Sequence, residues 1–491
     1  MQAILTEPGR LATRVVVATA LCTPFSSWAA DSVNQAAEPA NTGPLVFFSE
    51  YLRPVADWNG VRSKLEQAGL TFTFTYYGDA FANPVGGVTQ GPGYDGRFGT
   101  IIDANLEKLA DWSGATLHAS IHQIHGTQFS SRNLDNLMTV SGIEAPPSTR
   151  LFNLWIEQKL ANEVSLRVGQ FTAAQVFEVS QNANLFINST FGWPGLNAQD
   201  LPSGGPAYPE ATPGVRLQFT PNDNLTFRAA VFDGDPAGPG TGNPVSRDPF
   251  GFAFRVNDPP FFVVESAYAY DQQPAAGRAE NPNQEGYASP RAVVRSAETN
   301  LPGTVKVGAW LSTESFADQR LNAGGELLAS GGQPLQHSGN FALYGVIDQM
   351  LWREPGDGDR GLSMYFRGSG APSDRNQIDL YADGGLTYKG AIASRPDDTM
   401  GIGLAFARIS PQASAFDRQL VALTGSAMPI RDFEAAIEWT YQWQLGNNWF
   451  IQPDLQYIIH PGGNIANPLD PTMQSAVQNA LVFGTRISGR F

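Results

Sequence analysis

Apolar and polar residues alternate with a period of two in the stretch 481–491. Leu481, Phe483 and Ile487 fall on one face of an extended segment, and Arg486 and Arg490 fall on the other. Successive side chains of a strand point to opposite faces, so this pattern predicts a strand with one apolar and one wet face. A strand of this kind that ends on an aromatic residue is typical of the last strand of an outer-membrane β-barrel.

The same period begins at Leu70 and recurs along the chain, which gives sixteen segments in all. Many approach the roughly ten residues that a tilted strand needs to cross an outer membrane. The segments after the first lie at 99–109, 115–125, 149–160, 164–171, 214–220, 225–233, 261–270, 304–312, 340–350, 361–368, 377–389, 399–409, 433–445, 449–459 and 481–491. The stretch 250–256 also alternates, and we interpret it as an extension of the 261–270 strand because single-chain bacterial barrels have even strand numbers. The predicted fold class is therefore all-β, an antiparallel transmembrane β-barrel of about sixteen strands.

A short amphipathic helix is predicted immediately before the first strand. Val61, Leu65 and Ala68 recur at helical spacing, and Gly69 follows as a stop signal. Such a helix could sit at the periplasmic mouth of the barrel or lie on its surface.

The beginning of the chain has the pattern of a secretory signal peptide. Arg10 and Arg14 precede an apolar run, and the small residues Ser27 and Ala29 mark a cleavage site. The expected division of the chain is a signal peptide at 1–29, an N-terminal periplasmic segment at 30–69 and the barrel at 70–491.

The connections between the predicted strands differ in length as a barrel requires. Short turns at 161–163 and 221–224 fit the periplasmic rim. The long connections are rich in Gly and Pro and fit extracellular or inward-folding loops. They lie at 80–98, 126–148, 172–213, 234–249, 313–339 and 410–432. The connection 271–303 is long where a short turn is expected.

Composition supports this class and excludes others. The 491 residues include 51 Gly and 35 Pro, with 11% aromatic and 16% charged residues, which suits many strands joined by turns. No apolar run of about 18 residues follows the N-terminal stretch, which argues against a helical membrane protein. The net charge of −15 argues against nucleic acid as a partner.

Alternation also assigns charged and aromatic side chains to the lumen faces of the strands. In the segment 99–109 the apolar face lies opposite Asp103 and Glu107, and in 149–160 Phe152 belongs to the apolar face. The residues predicted to line the channel are Asp103, Glu107, His118, His122, Trp155, Glu157, Arg167, Arg216, Arg228, Lys306 and Trp310.

Two tight turns are expected to bring lumen charges face to face. Folding the turns at their midpoints, residues 162 and 222, sets Glu157 across from Arg167 and Arg216 across from Arg228. Opposed carboxylates and guanidinium groups present acceptors and donors to a polar solute.

The chemistry of these side chains suits a sugar. The planar fork of arginine fits vicinal hydroxyls, and carboxylates accept hydrogen bonds from them. Trp155 and Trp310 could stack on the apolar face of a sugar ring. The alternative is that these side chains fill and brace the barrel wall.

The sequence allows two other kinds of site. His118, His122 and His125 resemble a metal cluster, but on a strand His125 points away from the other two, and zinc needs three or four converging ligands. Asp103 and His122 could form the acid and base of a barrel hydrolase, but no serine or threonine is marked out as their partner. We therefore expect no metal, no cofactor and no catalysis.

Several motifs together resemble the carbohydrate-selective porin (OprB) family over a region from about residue 50 to the end. They include Tyr77-Gly-Asp79, Arg150-Leu-Phe-Asn-Leu-Trp-Ile-Glu-Gln158, Leu166-Arg-Val-Gly-Gln-Phe171 and Gln452-Pro-Asp-Leu-Gln-Tyr-Ile-Ile-His-Pro-Gly-Gly463. The resemblance implies a sixteen-stranded outer-membrane barrel that admits monosaccharides and related sugars by facilitated diffusion. It also implies an N-terminal segment near the periplasmic mouth and a narrow pore with charged residues at its constriction.

The expected partners follow from this reading. They are small sugars, outer-membrane lipid and lipopolysaccharide, and the barrel assembly machinery, which would recognise Phe491. A homotrimer is expected by analogy with other porins alone. The alternative functions are a general or anion-preferring porin and a barrel hydrolase.

Overall fold

Sixteen antiparallel strands close into one barrel in the computed structural model, which describes residues 58–272, 301–354, 359–446 and 448–491. The strands are β1 (Leu70–Gly87), β2 (Gly91–Asn105), β3 (Ala115–Gly126), β4 (Ser148–Lys159), β5 (Val164–Phe171), β6 (Thr212–Phe219), β7 (Leu225–Phe232), β8 (Phe261–Tyr270), β9 (Gly303–Asn322), β10 (Pro334–Arg353), β11 (Gly361–Gly370), β12 (Ile378–Lys389), β13 (Thr399–Ile409), β14 (Phe433–Gln444), β15 (Trp449–Ile459) and β16 (Gln478–Arg490). Each strand pairs with its sequence neighbours, and β1 pairs with β16. The predicted fold class and strand number are confirmed. The signal peptide predicted at 1–29, the segment 30–57 and most of the connection 271–303 lie outside the described residues.

The first helix precedes β1, and the others lie in the connections between strands. They are α1 (Val61–Ala68), α2 (Leu106–Ala110), α3 (Phe129–Asn133), α4 (Gly195–Asp200), α5 (Pro244–Arg247), α6 (Pro411–Thr424) and α7 (Pro461–Asn464), with 3-10 turns at Trp58–Gly60, Ala183–Leu185, Ser189–Phe191, Pro202–Gly204 and Leu328–Ser330. Within the described residues, none of the helices is long and apolar enough to cross a membrane.

The apolar face of the strands forms the outer wall of the barrel. Its side chains stay exposed in the isolated chain because the surrounding lipid is their partner. They include Val168, Val215, Leu217, Phe227, Val264, Val307, Leu343, Phe366, Leu404, Ile437 and Phe483. The opposite face carries most of the charged residues of the strands, and it turns toward the lumen.

Two connections predicted as long loops are mostly strand. The stretch 80–98 forms the end of β1 and the start of β2, and 313–339 continues β9 and β10, which leaves connections of 88–90 and 323–333. In the stretch 80–98, Pro84 argued against a strand, so the sequence did not predict the extension of β1. Pro84 lies in a register irregularity between Ala82 and Val85, where the ladder does not use its missing N–H.

The strand predicted at 99–109 ends early, which makes one lumen prediction wrong. Asn105 stops β2 because its side chain accepts a hydrogen bond from the Lys108 N–H and caps α2. Glu107 therefore lies in a helix at the periplasmic turn and not on a lumen-facing strand. Its Oε2 accepts a hydrogen bond from the Gly114 N–H at 3.3 Å.

The stretch 250–256 does not extend β8 as predicted. Gly251 and Phe254 have φ values of +69° and +43°, which a strand cannot accommodate. Pro259 and Pro260, which lack N–H donors, separate this stretch from the first residue of β8.

The predicted N-terminal helix is present, and it is fastened to the seam where the barrel closes. The Trp58 ring packs on Phe72 and Phe74, which are on the outward face of β1, with ring centroids 5.5 and 6.0 Å apart. Arg62 donates hydrogen bonds to the carbonyl oxygens of Phe72 (2.6 Å) and Phe491 (2.8 Å). These contacts favour a helix on the rim of the barrel over one that plugs the pore.

Two loops fold into the lumen, the β3–β4 loop (127–147) and the β5–β6 loop (172–211). The loops are joined by backbone hydrogen bonds from Gly142 to Ile187 and from Ser189 to Thr139, each 2.9 Å long. Aromatic rings of the β5–β6 loop pack on Tyr365 of the lumen wall. The lumen is therefore narrowed from within by two connected loops.

Candidate functional site

Glu157 is held between two arginines on the lumen wall. It pairs directly with Arg167 across β4 and β5, as the tight turn predicted. Arg167 donates two hydrogen bonds to Glu157 Oε2, at 2.9 and 2.7 Å, and Arg216 donates one to Oε1 at 2.7 Å. Arg167 and Arg216 are themselves direct partners across β5 and β6. The carboxylate therefore separates two like charges that would otherwise face each other.

Both faces of the Trp155 ring are covered. The His118 imidazole stacks on one face with centroids 4.7 Å apart, and the Arg167 guanidinium carbon lies 3.7 Å from the ring centroid. Cation–π contact and stacking fix the arginine in one orientation. In this structure the indole acts as a support for Arg167, and its faces are not open to a sugar ring.

The same row of side chains continues along the wall in both directions. On one side His118 Nδ1 lies 2.7 Å from Asp103 Oδ1. On the other side Gln218 Oε1 accepts hydrogen bonds from Arg216 at 3.4 Å and from Arg228 at 3.0 Å. We call this row the charged belt, and its members are Asp103, His118, Trp155, Glu157, Arg167, Arg216, Gln218, Arg228, Glu265 and Tyr344.

The far end of the belt passes beneath the β5–β6 loop. Arg228 donates to Glu265 Oε1 at 2.9 Å, and Tyr344 Oη donates to Glu265 Oε2 at 3.1 Å. The same Oε2 accepts the backbone N–H of Glu178 at 2.8 Å. Sequence reasoning missed Gln218, Glu265 and Tyr344. Glu265 stands directly opposite Arg228 in the ladder, so a correct strand register would have found it.

The predicted pairing of Arg216 with Arg228 is wrong by two residues. Arg216 pairs with Ala230, and Gln218 pairs with Arg228. Asn222 causes the shift because its side chain accepts hydrogen bonds from the N–H groups of Asn224 and Leu225, each at 3.0 Å. This local turn moves the midpoint of the hairpin one residue along the chain.

A bulge in the β3–β4 ladder moves two side chains into the lumen. The register shifts between Ser120 and Ile121, so Phe152 stacks on His122 with centroids 4.4 Å apart. Phe152 was predicted to face outward, and the bulge makes that prediction wrong. Arg150 also turns inward and makes a two-pronged ion pair with Glu210 of the β5–β6 loop, at 3.1 and 2.7 Å.

The remaining predicted residues hold the β5–β6 loop. Lys306 Nζ donates to the carbonyl of Val179 at 2.6 Å, and Trp310 Nε1 donates to Asn197 Oδ1 at 2.9 Å. Both wall side chains are buried. Asp103 bonds to His118 and not to His122, and the described residues contain no group of three ligands suited to a metal ion.

Carboxylates of the wall also bind the two loops through backbone N–H groups. Glu438 accepts from Ile187 at 2.6 Å and from Asn188 at 2.9 Å. Glu434 accepts from Leu137 and Met138, both at 2.8 Å. These hydrogen bonds join the loop backbone to the wall, so the two wall side chains set how far the loops reach into the lumen.

Asp348 binds the β5–β6 loop in the same way. It accepts from the Asn182 N–H at 3.0 Å, the Gln181 N–H at 3.2 Å and the Ser180 hydroxyl at 2.6 Å. One wall carboxylate therefore fixes three consecutive residues of the loop.

Two loop carboxyls are shielded from water. Burial raises the pKa of Glu144 in the β3–β4 loop to about 7, and the nearby Asp95 charge acts in the same direction. Burial likewise raises the pKa of Glu178 in the β5–β6 loop to about 7, partly offset by Arg367 and the hydrogen bond from Asn197. Asp383 and Glu265 add to the increase.

Part of the charged belt remains open to solvent. The Asp103 side chain is 44% exposed and that of Glu157 is 23% exposed, whereas Arg228 and Glu265 are at 1% and 0%. A solute in the lumen can therefore reach the belt at Asp103, Glu157 and the adjoining edge of Arg167.

The closed barrel, its apolar outer wall and its charged lumen narrowed by loops define a bacterial outer-membrane porin, a channel that transports solutes without catalysis. The family model "Carbohydrate-selective porin, OprB family" matches residues 89–491, and the chain belongs to that family.

Comparison with individual proteins agrees with this assignment. The chain is 22% identical to Porin B of Pseudomonas aeruginosa over 458 residues, which cover 89% of this chain and 91% of that protein. The high-pH structure of Pseudomonas putida OprB superposes with a TM-score of 0.73 at 23% identity and covers 89% of this chain and 97% of that one. The low-pH structure of the same protein gives a TM-score of 0.51 at 17% identity, with the same coverage.

Proposed function

We propose that the channel passes monosaccharides and related sugars by facilitated diffusion, and that Glu157 and Arg167 form its charged constriction. The observation that carries the proposal is the ion pair of Glu157 and Arg167, whose carboxylate side chain is 23% exposed, on the wall of a lumen narrowed by two loops. The family to which the chain belongs is carbohydrate-selective, which supports sugars as the solute class.

Arg167 is held in one orientation by its neighbours, which suits a side chain that binds a sugar. Its guanidinium is stacked on Trp155 and bonded to Glu157, so little rotamer freedom is left to lose when a sugar binds. Glu157 Oε2 already accepts two hydrogen bonds from Arg167, but Oε1 accepts one from Arg216 and has a second lone pair for a hydroxyl. A sugar can therefore exchange hydrogen bonds with the pair without breaking it.

The other predicted channel residues take supporting roles in this proposal. Asp103 offers a second accessible carboxylate beside the pair. Trp155 supports Arg167, and His118 supports Trp155. The positive charges of Arg216 and Arg228 offset the carboxylates of the charged belt, which suits an uncharged sugar. The His122 ring lies against Tyr208 of the β5–β6 loop, with centroids 5.9 Å apart. His122, Lys306 and Trp310 therefore fix this loop, which sets the width of the passage.

The competing function is a general or anion-preferring porin. Anion preference requires an excess of cations where the solute passes. Here the most accessible groups of the belt are two carboxylates, Asp103 and Glu157, beside one arginine edge. This arrangement favours an uncharged polar solute.

Liposome swelling tests the proposal. Purified protein in liposomes should admit glucose faster than sucrose, and faster than a phosphate salt of equal osmolarity. A general porin would instead rank solutes by size alone, and an anion-preferring porin would admit phosphate fastest.

A further inference from the structure

The stretch 250–256 lies where β5 leaves the edge of β4 uncovered. Pairing of β4 with β5 begins at Leu154 and Gln170, so the part of β4 before Leu154 has no partner on that side. The Phe250 carbonyl fills this gap by accepting the Leu151 N–H at 2.9 Å. We call residues 250–256 the strap.

The strap crosses the outer face of the barrel. On β5 Arg167 faces the lumen and Val168 faces outward, so Gln170 also faces outward. Gln170 is nevertheless buried, because its Nε2 donates to the carbonyl of Gly251 at 2.9 Å. A Cβ on Gly251 would lie 2.0 Å from the Leu151 carbonyl oxygen, so the close approach of the strap to the wall requires glycine there.

The strap presents apolar side chains away from the wall. Phe250, Phe252, Phe254 and Val256 are 63%, 61%, 41% and 71% exposed. The intervening Arg255 donates to both carboxylate oxygens of Asp258, at 2.9 Å each, and this ion pair neutralises its charge. The outer surface of the strap is therefore aromatic and uncharged.

The backbone of the strap limits how deep it can lie. Among the described residues, none accepts a hydrogen bond from the backbone N–H groups of residues 253–257. Unsatisfied backbone groups are too costly in hydrocarbon, where each costs several kcal/mol. The backbone must therefore remain among polar headgroups and water, while the phenyl rings can reach the acyl chains.

We propose that the strap is a lipid-binding surface at the outer leaflet, with its rings inserted at the boundary between headgroups and acyl chains. Its ring surface continues the apolar outer wall at the extracellular end, where barrels carry an aromatic girdle. The occupant is outer-leaflet lipid and not a second copy of the chain. Three rings and a valine expose on the order of 400 Å², about half of what one partner contributes to a standard protein interface.

Single-cysteine spin labels test this proposal in lipid bilayers. Cys22 is the sole cysteine of the sequence, so a C22S background accepts one label at a time. The label sites are F252C on the strap and S246C, an exposed position in the same connection, as the matched control. Heat-modifiable migration on gels confirms that each labelled barrel is folded.

The proposal predicts opposite accessibility at the two sites. The label at 252 should collide with oxygen and be shielded from a water-soluble nickel complex, and the label at 246 should behave the other way round. Equal exposure of both labels to nickel would overturn the proposal. Shielding at 252 together with dipolar broadening between labels would also overturn it, because a second copy of the chain would then be the occupant.

Discussion

At the scale of single residues, Glu157, Arg167 and Arg216 contribute unequally to the stability of the barrel wall. Arg167 and Arg216 are adjacent in the ladder, and the carboxylate between them binds both. Removal of either arginine leaves an intact ion pair. Removal of the carboxylate leaves two cations face to face, which destabilises neighbouring strands.

We therefore expect Glu157→Gln to destabilise the barrel more than Arg167→Ala. Loss of Glu157 leaves two buried guanidinium groups without their shared partner, which costs about 1–3 kcal/mol, whereas loss of Arg167 leaves Glu157 paired with Arg216. The midpoint temperature of heat modification on gels measures the difference. Equal midpoints for the two variants would show that the arginines do not repel each other in the folded wall.

Residue-level prediction from sequence succeeded where the turn was short and the ladder regular. The tight turn after β4 fixed the pairing of Glu157 with Arg167, and the structure has that pair. The pairing of Arg216 failed because a side-chain hydrogen bond of Asn222 moved the next turn by one residue. The direction of Phe152 failed because a bulge interrupts the alternation, and alternation was the signal that was used.

At the scale of elements, the lumen wall acts as a template for the two inward loops. Glu438, Glu434 and Asp348 bind loop N–H groups, and Lys306 binds a loop carbonyl. The sequence predicted that the long connections are extracellular or inward-folding loops. It did not indicate which wall residues would hold them, because those contacts join residues more than a hundred positions apart and depend on loop conformation.

We expect Glu438→Ala to widen the channel. The substitution frees the N–H groups of Ile187 and Asn188, and each such hydrogen bond contributes about 0.5–1.5 kcal/mol. Single-channel conductance should rise, and sucrose should enter liposomes faster. Glu438→Gln keeps an acceptor and should change less, and Glu107→Ala, at the periplasmic turn, is the control. Unchanged conductance in Glu438→Ala would mean that the loop is held without this carboxylate.

The N-terminal helix gives a second prediction at this scale. Deletion of residues 30–68 should leave a barrel that inserts with unchanged conductance, because Trp58 and Arg62 contact the outer rim and the seam. Heat modification should occur at a lower temperature, since the seam loses these contacts. A clear rise in single-channel conductance would instead place the segment in the mouth of the pore.

At the scale of the whole molecule, docking of the two loops should depend on pH. Burial raises the pKa of Glu144 and of Glu178 from an ordinary value near 4.5 to about 7. The docked loops therefore bind protons more tightly than released loops. Their stabilisation is fully present below about pH 4.5 and is lost as the pH rises through about 7.

Single-channel recordings should show this dependence directly. Current fluctuations should be small at pH 5 and should grow as the pH passes 7, because the loops are then held less firmly. The double variant Glu144→Gln and Glu178→Gln should give fluctuations that change less across this range. Wild-type fluctuations that decrease with rising pH would contradict the role given to Glu144 and Glu178 in loop docking.

The central claim is that sugars bind at the pair of Glu157 and Arg167, and glucose block of the ion current tests it most directly. Arg167→Ala should raise the glucose concentration for half block about tenfold or more, since one charge-assisted hydrogen bond is lost. It should also make the channel more cation-selective. Arg408→Ala, which removes an arginine paired with Asp379 on the outer face of the barrel, should leave both properties unchanged. A folded Arg167→Ala channel that keeps wild-type glucose block and ion selectivity would contradict the account.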